Sequence, residues 1–395
     1  MKRALAVCAA LAVGGSLAMA PSAGAAPSAT GLAHGAAHTC AAPARGQAAC
    51  DALVLVDAAG RPVSSATTPS GYGPQDLRSA YNLTGLFSGG KTVAIVDAYD
   101  DPTALNDVNV YRKQFGIPLV NSTGGPTFTK VNQTGGTNYP STNAGWATEI
   151  SLDLDMVSAA CPDCNILLVE ATSATFANLG TAVNYAAKVS GVVAISNSYG
   201  GSDQAQLAAY DHPGIAITAS TGDSGYGVES PASFDSVVAV GGTHLVRDST
   251  TTRGWAESAW SGAGSGCSSK NAKPQWQTSV TQCTGKANAD VSAVADPYTG
   301  VAVYDSTAYH GRKGWQVYGG TSVASPIIAS VYALGGNLSG YPASYTWGKA
   351  TPSGTGLNDV TSGSNGTCST SVWCTAGTGW DGPTGLGTPN GVGSF

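Results

Sequence analysis

Five short apolar runs restrict this chain more than anything else in it. They are Thr92-Val93-Ala94-Ile95-Val96, Asn165-Ile166-Leu167-Leu168-Val169, Val192-Val193-Ala194-Ile195-Ser196, Ile215-Ala216-Ile217-Thr218-Ala219 and Val237-Val238-Ala239-Val240. Helix-like stretches lie between them, from Leu105 to Phe115, Ala144 to Ser158 and Leu179 to Val189. A strand that is apolar throughout has to be covered on both faces. The alternation therefore predicts an α/β fold, with a mostly parallel sheet and helices on both faces. Sites in such sheets form beyond the C-terminal ends of the strands. The loops at those ends are Ser198-Tyr199-Gly200-Gly201 and Thr221-Gly222-Asp223-Ser224-Gly225.

The 395 residues suffice for one large domain or two smaller ones. Charged residues are 11% of the chain, against about 25% in ordinary domains. With a net charge of −6, no basic surface for nucleic acid is indicated. Full protonation of the carboxylates leaves only 18 Lys+Arg and 5 His as charges, a mild self-repulsion that suits exposure to acid. A neutral, Gly-rich secreted surface explains the same numbers without acid.

Residues 1–25 read as a secretory signal. Lys2 and Arg3 precede an apolar run from Ala4 to Ala18, and Ala23-Gly24-Ala25 supplies a small-residue cleavage site. No later apolar run is long enough to span a bilayer, so the expectation is a secreted, extracellular monomer with no membrane partner. Setting aside Cys8 in the signal, the cysteines fall in near neighbours: Cys40 with Cys50, Cys161 with Cys164, Cys267 with Cys283, and Cys368 with Cys374. Four local disulfides in that order are expected of a secreted chain. Cys161-Pro162-Asp163-Cys164 also has redox or zinc spacing, but no second such motif or His pair accompanies it. Residues 26–70, rich in Ala, Gly, Pro and Ser, read as a flexible leader or a short pro-segment clipped later. A folded domain is expected over 71–395.

Gly319-Gly320-Thr321-Ser322-Val323-Ala324-Ser325-Pro326 opens onto an apolar helical run. It presents the Ser322 hydroxyl at a helix N-terminus, where developing negative charge is favoured, and Pro326 is read as belonging to the first helical turn. A buried helix capped by a serine is the bland alternative. A nucleophile needs a base, and the histidines are poor candidates. His34 and His38 lie in the leader; His212, His244 and His310 have no catalytic context. Glu149 and Asp153 stand one helical turn apart on one face. Carboxyls so close share a proton and raise one pKa, which suits proton transfer with a serine. Two solvated carboxylates are the alternative, made less attractive by the scarcity of charge. Asp223 is a turn residue or, when protonated, a hydrogen-bond donor to an oxyanion.

Taken together, Glu149 and Asp153 in E-x-x-L-D, Asp223 in S-T-G-D-S-G and Ser322 in G-G-T-S-x-A-S-P resemble the sedolisins, or serine-carboxyl peptidases. The resemblance runs from about Tyr72 to Phe395. It implies a subtilisin-like fold and acid-acting hydrolysis of proteins or peptides. Ser322 would be the nucleophile, Glu149 the base, Asp153 its partner and Asp223 the oxyanion acid. Ser198, Tyr199 and Gly200 resemble the family's substrate-binding edge, where backbone groups pair with the peptide; Tyr199, in place of the family's frequent Trp, is expected to tune the groove. Asn358-Asp359-Val360 and Gly377-Thr378-Gly379-Trp380-Asp381 resemble its calcium loop. The implied Ca2+ ligands are Asp359, Asp381 and the carbonyls of Val360, Gly377 and Gly379, oxygen donors suited to a hard cation. The leader is shorter than the family's pro-domain. An endopeptidase is the expected activity. Its rivals are a neutral subtilisin-like enzyme with a His near Ser322, a tripeptidyl-type exopeptidase, and a non-catalytic binding protein on the same scaffold.

Overall fold

The structure, a computed structural model, describes Met1 and residues 35–349 and 356–395. The expected signal peptide, with Cys8, and the first part of the leader lie outside the described residues. The N-terminal part supplies β1 (Gly35–His38), β2 (Ala49–Cys50), β3 (Leu53–Val56), β4 (Ser64–Ser65) and α1 (Pro74–Ala80). The middle alternates: β5 (Thr92–Ala98), α2 (Ala104–Gln114), β6 (Phe128–Asn132), α3 (Ala144–Ala160), β7 (Asn165–Ala171), α4 (Phe176–Ala186), β8 (Val192–Asn197), β9 (Tyr199–Ser202), β10 (Ala216–Ser220), β11 (Glu229–Ser230) and β12 (Val238–Arg247). The C-terminal third adds β13 (Trp255–Ala259), β14 (Gly266–Ala272), β15 (Gly285–Asn288), β16 (Val291–Val294), β17 (Val301–Tyr309), β18 (Arg312–Gly319), α5 (Thr321–Gly335) and α6 (Pro342–Lys349).

The five apolar runs become β5, β7, β8, β10 and the start of β12. They form one eight-stranded sheet, ordered β13-β12-β10-β8-β5-β7-β6 with β16 also on β12. Every pairing in it is parallel except β12 with β13. Alternate residues serve opposite faces. Val93 and Ile95 of β5 join the core shared with α1, α2, α3 and α5, whereas Ala94 and Val96 join the core under α4. The predicted α/β class and two-sided covering hold. The chain runs outwards in both directions from β5, so the C-terminal ends of β5, β8 and β10 border the point where strand order reverses, the usual place for a site.

From residue 35 onward the expected leader is ordered rather than flexible. β3 joins a second sheet, pairing with β1 on one side and with β18 on the other, and β4 also pairs with β18. β2 pairs with β9. These strands are two to four residues long. Their order comes from partners far along the chain, a signal that local composition does not carry. Ordered structure therefore begins well before residue 71.

All four expected disulfides are present. Cys40 is joined to Cys50, Cys161 to Cys164, Cys267 to Cys283, and Cys368 to Cys374. The bond between Cys161 and Cys164 is the structural reading of that motif rather than a zinc site. Cys283 ties the loop before β15 back to Cys267 on β14, and Cys374 closes a short loop on Cys368 ahead of the turn at 377–381. None of the helices among the described residues is long and apolar enough to cross a membrane.

One buried ion pair ties β12 to the C-terminal third. Lys286 Nζ lies 2.5 Å from Asp290 Oδ2, both side chains fully buried, and also donates to the Val237 carbonyl. Asp290 further accepts from Ala239 N, Gln277 Nε2 and Trp347 Nε1. Asp290→Ala leaves a buried ammonium with one carbonyl, and its expected cost in denaturant unfolding is about 3–5 kcal/mol. Lys286→Met leaves Asp290 three other donors and is expected to cost less; the reverse ranking would refute this account.

Candidate active site

Helix α3 carries the carboxyl pair. Asn143 caps it, its side chain accepting from Trp146 N at 3.2 Å. Every residue from Gly145 to Ala160 is buried, so its acids sit inside the protein rather than on a solvated face. Glu149 and Asp153 point at the start of α5. Ser322 Oγ donates to Glu149 Oε2 at 2.8 Å, and Asp153 accepts from Ser198 Oγ at 2.8 and 2.9 Å. Glu149 Oε1 has no other recorded partner. Burial, then the charge of Asp153, raises Glu149 far above the ordinary range; burial raises Asp153, while a hydrogen bond from Glu149 opposes that rise. A single proton held between the two carboxyls is the arrangement that satisfies both.

Gly320 caps α5 with φ at +97°. A side chain there would be strained by that φ, and its Cβ would lie 2.5 Å from Asp223 Oδ2, so glycine alone lets the turn approach the carboxyl. Pro326 sits in the second turn rather than the first, because the helix begins at Thr321. Its missing N–H releases the Ser322 carbonyl from the helical ladder, and that carbonyl lies 3.3 Å from Ser198 Oγ.

Asp223, beyond β10, is anchored at one oxygen only. Its Oδ1 accepts from Thr321 N at 2.7 Å and Thr321 Oγ1 at 2.8 Å, while buried Oδ2 has no recorded partner. Burial, then the charge of Asp51, raises its pKa well above the usual range. Asp223 is thus biased towards its protonated form, with one buried oxygen unpartnered beside the start of α5.

The backbone of the expected binding edge forms β9. Tyr199's side chain turns away into the core, its hydroxyl on Asn197 Oδ1 at 2.7 Å and near Tyr210 OH at 3.0 Å. The expectation that Tyr199 tunes the groove through its side chain is corrected: the ring is fully buried, and only its backbone faces the cleft. His38, at the end of β1, lines the cavity beside Asp51 and Asp223, but Ser322 Oγ donates to Glu149 and to the Ser198 carbonyl and not to it; the other described histidines stand elsewhere. His212 bonds to Asn184 and the Ala209 carbonyl, His244 pairs with Asp296, and His310 packs on Tyr309. His34 lies outside the described residues.

Three acids at the site escaped the sequence reading. Asp97, at the end of β5, is fully buried with both oxygens unpartnered, and its charge raises Glu149 and Asp153. Asp51 comes from the segment read as leader; Ser220 Oγ donates to it at 2.6 Å, and burial pushes it up to about 7. Burial, then Asp51, pushes Glu229 up to about 9. Position at the end of an apolar strand was the available signal for Asp97. Asp51 and Glu229 had none.

The turn at 377–381 gathers the two aspartates expected to bind metal. Asp359 Oδ2 accepts from Gly379 N, and Asp381 accepts from Gly377 N, Thr384 N and Thr384 Oγ1. Burial, with the Asp359 charge as a smaller cause, pushes Asp381 up to about 7. Two carboxylates that repel across a Gly-rich turn fit a hard dication. No group of three or more His, Cys, Asp or Glu suited to a metal occurs among the described residues, so carbonyls would have to complete such a site.

The subtilase family's sequence model matches residues 120–352. The chain is similar to kumamolisin from Bacillus sp. (strain MN-32), 29% identical over 374 residues, covering 83% of this chain and 64% of that one. It is equally similar to sedolisin from Pseudomonas sp. (strain 101), 29% identical over 374 residues, covering 82% and 60%. It therefore spans less than two thirds of these relatives' length. Among solved structures, Pseudomonas sedolisin, a serine-carboxyl proteinase complexed with two molecules of pseudo-iodotyrostatin, matches with a TM-score of 0.66 at 26% identity, over 82% of this chain and 96% of that one. With that sequence model spanning more than half of its length, the chain belongs to the subtilase family, on the sedolisin branch.

Proposed function

We propose that the protein is a secreted serine-carboxyl endopeptidase that cleaves proteins and peptides at acid pH. The observation that carries this is the 2.8 Å hydrogen bond from Ser322 Oγ to Glu149 Oε2 inside a cluster of buried carboxyls. As Oγ attacks a substrate carbonyl, its proton passes to Glu149 Oε2. The proton shared with Asp153 moves towards Asp153, so no net charge is created on the dyad. Neutral Asp223 donates from Oδ2 to the developing oxyanion, held in place by its Thr321 bonds. Glu149 then protonates the leaving amine. Asp97 behind the dyad makes a second negative charge there still less favourable.

Two features favour the endopeptidase over its rivals. The β9 edge is paired along Tyr199 and Gly200, and Ala48 N reaches the Ala174 carbonyl beyond it. A groove closed after three residues, as a tripeptidyl exopeptidase needs, would not admit that run. The four acting residues, Glu149, Asp153, Asp223 and Ser322, all meet at one point, which a binding protein does not require.

The proposal includes Ca2+ at the C-terminal turn, held by Asp359 and Asp381 with the carbonyls of Val360, Gly377 and Gly379. Bound there, the ion would cross-link residues 357–360 to the 377–381 turn and neutralise two repelling carboxylates. Chelation is expected to lower the melting temperature, with recovery on adding back Ca2+ but not Na+; an unchanged melting temperature removes the ion from the proposal.

The pH–rate profile tests the mechanism. Asp223 acts only when protonated, and the dyad only with one proton. Activity is therefore present at acid pH and lost as pH rises through their raised pKa values. Glu149→Gln is expected to abolish turnover at every pH. Asp223→Ala is expected to lower kcat by about 10²–10³ with little change in KM. Activity that peaks near neutrality and survives Glu149→Gln would overturn the carboxyl mechanism.

A further inference from the structure

Ser198 and Ser322 hold each other in both directions. Ser198 stands between β8 and β9, fully buried, and Ser322 opens α5. Ser322 Oγ, whose short bond goes to Glu149, also lies 3.3 Å from the Ser198 carbonyl. In the reverse sense, Ser198 Oγ lies 3.3 Å from the Ser322 carbonyl. That carbonyl has lost its usual helical donor, because the residue four places on is Pro326, which has no N–H to give. Ser198 Oγ also reaches both oxygens of Asp153, at 2.8 and 2.9 Å.

A hydroxyl has one hydrogen, and here three acceptors compete for it. The charge on Asp153 decides the competition. An ionised carboxylate accepts a bond roughly twice as strong as a neutral group does, so at rest Ser198 donates to Asp153. That donation favours the negative charge on Asp153 and leaves the shared proton on Glu149. The surroundings oppose ionisation. Burial, then Asp153 and Asp97, raise Glu149; burial, then Asp97, raises Asp153, and no cation is among the influences on either. Tyr199 on β9 feels Asp153 and Tyr318 on β18 feels Glu149, but burial keeps both phenols protonated. Among the described residues, Ser198 is the one donor to Asp153 from outside the pair.

We propose that the Ser198 hydroxyl is a positioning group for the proton transfer, turning from Asp153 to the Ser322 carbonyl as the nucleophile reacts. The proposal rests on the peptidase reading. As Ser322 Oγ bonds to the substrate carbonyl carbon, its proton passes to Glu149 Oε2 and the shared proton moves to Asp153. Both carboxyls are then neutral. Ser322 Oγ, now without its hydrogen, gives up its contact with the Ser198 carbonyl. Neutral Asp153 holds the Ser198 hydrogen less firmly, and that hydrogen turns to the Ser322 carbonyl. One tie between the two serines replaces the other, so the start of α5 stays in place through the attack. On collapse the substrate C–N bond breaks and Glu149 gives its proton to the leaving nitrogen. The shared proton returns towards Glu149, and the Ser198 hydroxyl returns to Asp153.

Two substitutions act on this hydroxyl with opposite sign. Each is made in the full chain, checked by a melting curve, and assayed as the pH dependence of kcat/KM on a peptide substrate. Ser198→Ala removes the donor that favours ionised Asp153. The pair then takes up its second proton at higher pH, and the acid limb of the profile is expected to move up by about one unit. KM should change little, because the backbone at 198 is kept. Pro326→Ala supplies an N–H to the Ser322 carbonyl and leaves the Ser198 hydrogen to Asp153 alone, so the acid limb is expected to move down. A merely structural role would lower the rate at every pH without moving the limb. A Ser198→Ala limb that coincides with the wild type's would overturn the positioning role and leave the peptidase reading standing. Where Ser198→Ala melts early, Pro326→Ala decides: a limb that stays or moves up overturns the role. A wild-type chain that hydrolyses no peptide at any pH overturns the peptidase reading, and the role with it.

Discussion

The structure depends on keeping carboxyl groups neutral where water cannot reach them. Glu149, Asp153, Asp97 and Asp223 are all buried, and few cations are at hand to compensate them. Ionising several such groups in an apolar interior is prohibitive, so they hold protons well above the ordinary carboxylate range. The same holds away from the site: burial pushes Asp101 up to about 6 and Asp305 to about 7. The consequence for stability has a definite sign. A carboxyl whose pKa is raised by folding imposes no penalty below its unfolded value, where both states are protonated. The penalty grows as pH climbs from that value to the folded one. The cost of burying these carboxyls therefore falls as pH falls, in the same direction as the proposed chemistry.

That condition explains why an i, i+4 carboxyl pair can occupy a helix with no exposed face. On an ordinary amphipathic helix the pair would be solvated and of little consequence. Here Leu152 and Leu154 pack around it, α5 closes over it, and Ser322 supplies the one hydroxyl that Glu149 Oε2 accepts. The serine is held in turn by elements distant in sequence: Gly320 by its positive φ and its fit against Asp223, and the first turn of α5 by the Pro326 gap in the ladder.

Much of this was legible. The five apolar runs marked the parallel strands, and the spacing of Glu149 and Asp153 marked a shared face. The cysteine neighbours marked the disulfides, down to Cys283 on Cys267 and Cys374 on Cys368. What escaped has a common physical cause. β1 to β4 are too short for periodicity to register and take their order from β9 and β18, more than a hundred residues away in the chain. β18, which pairs with β3 and β4, mixes polar and apolar positions. Asp97 sits at a strand end, where an aspartate that caps a turn and one that turns inward look alike. Tyr199 was assigned to the groove because its neighbours lie there. A strand's alternation sends its ring to the opposite side.

The N-terminal strand also shows how weak contacts can close a site. A β2 of two residues would bind β9 poorly as a separate peptide, since ordering a free chain costs about 1–2 kcal/mol per residue. Tethered, it competes at an effective concentration that for short flexible linkers is on the order of millimolar. Here β3 on β18, β1 on β3 and the Cys40–Cys50 bridge shorten the tether further.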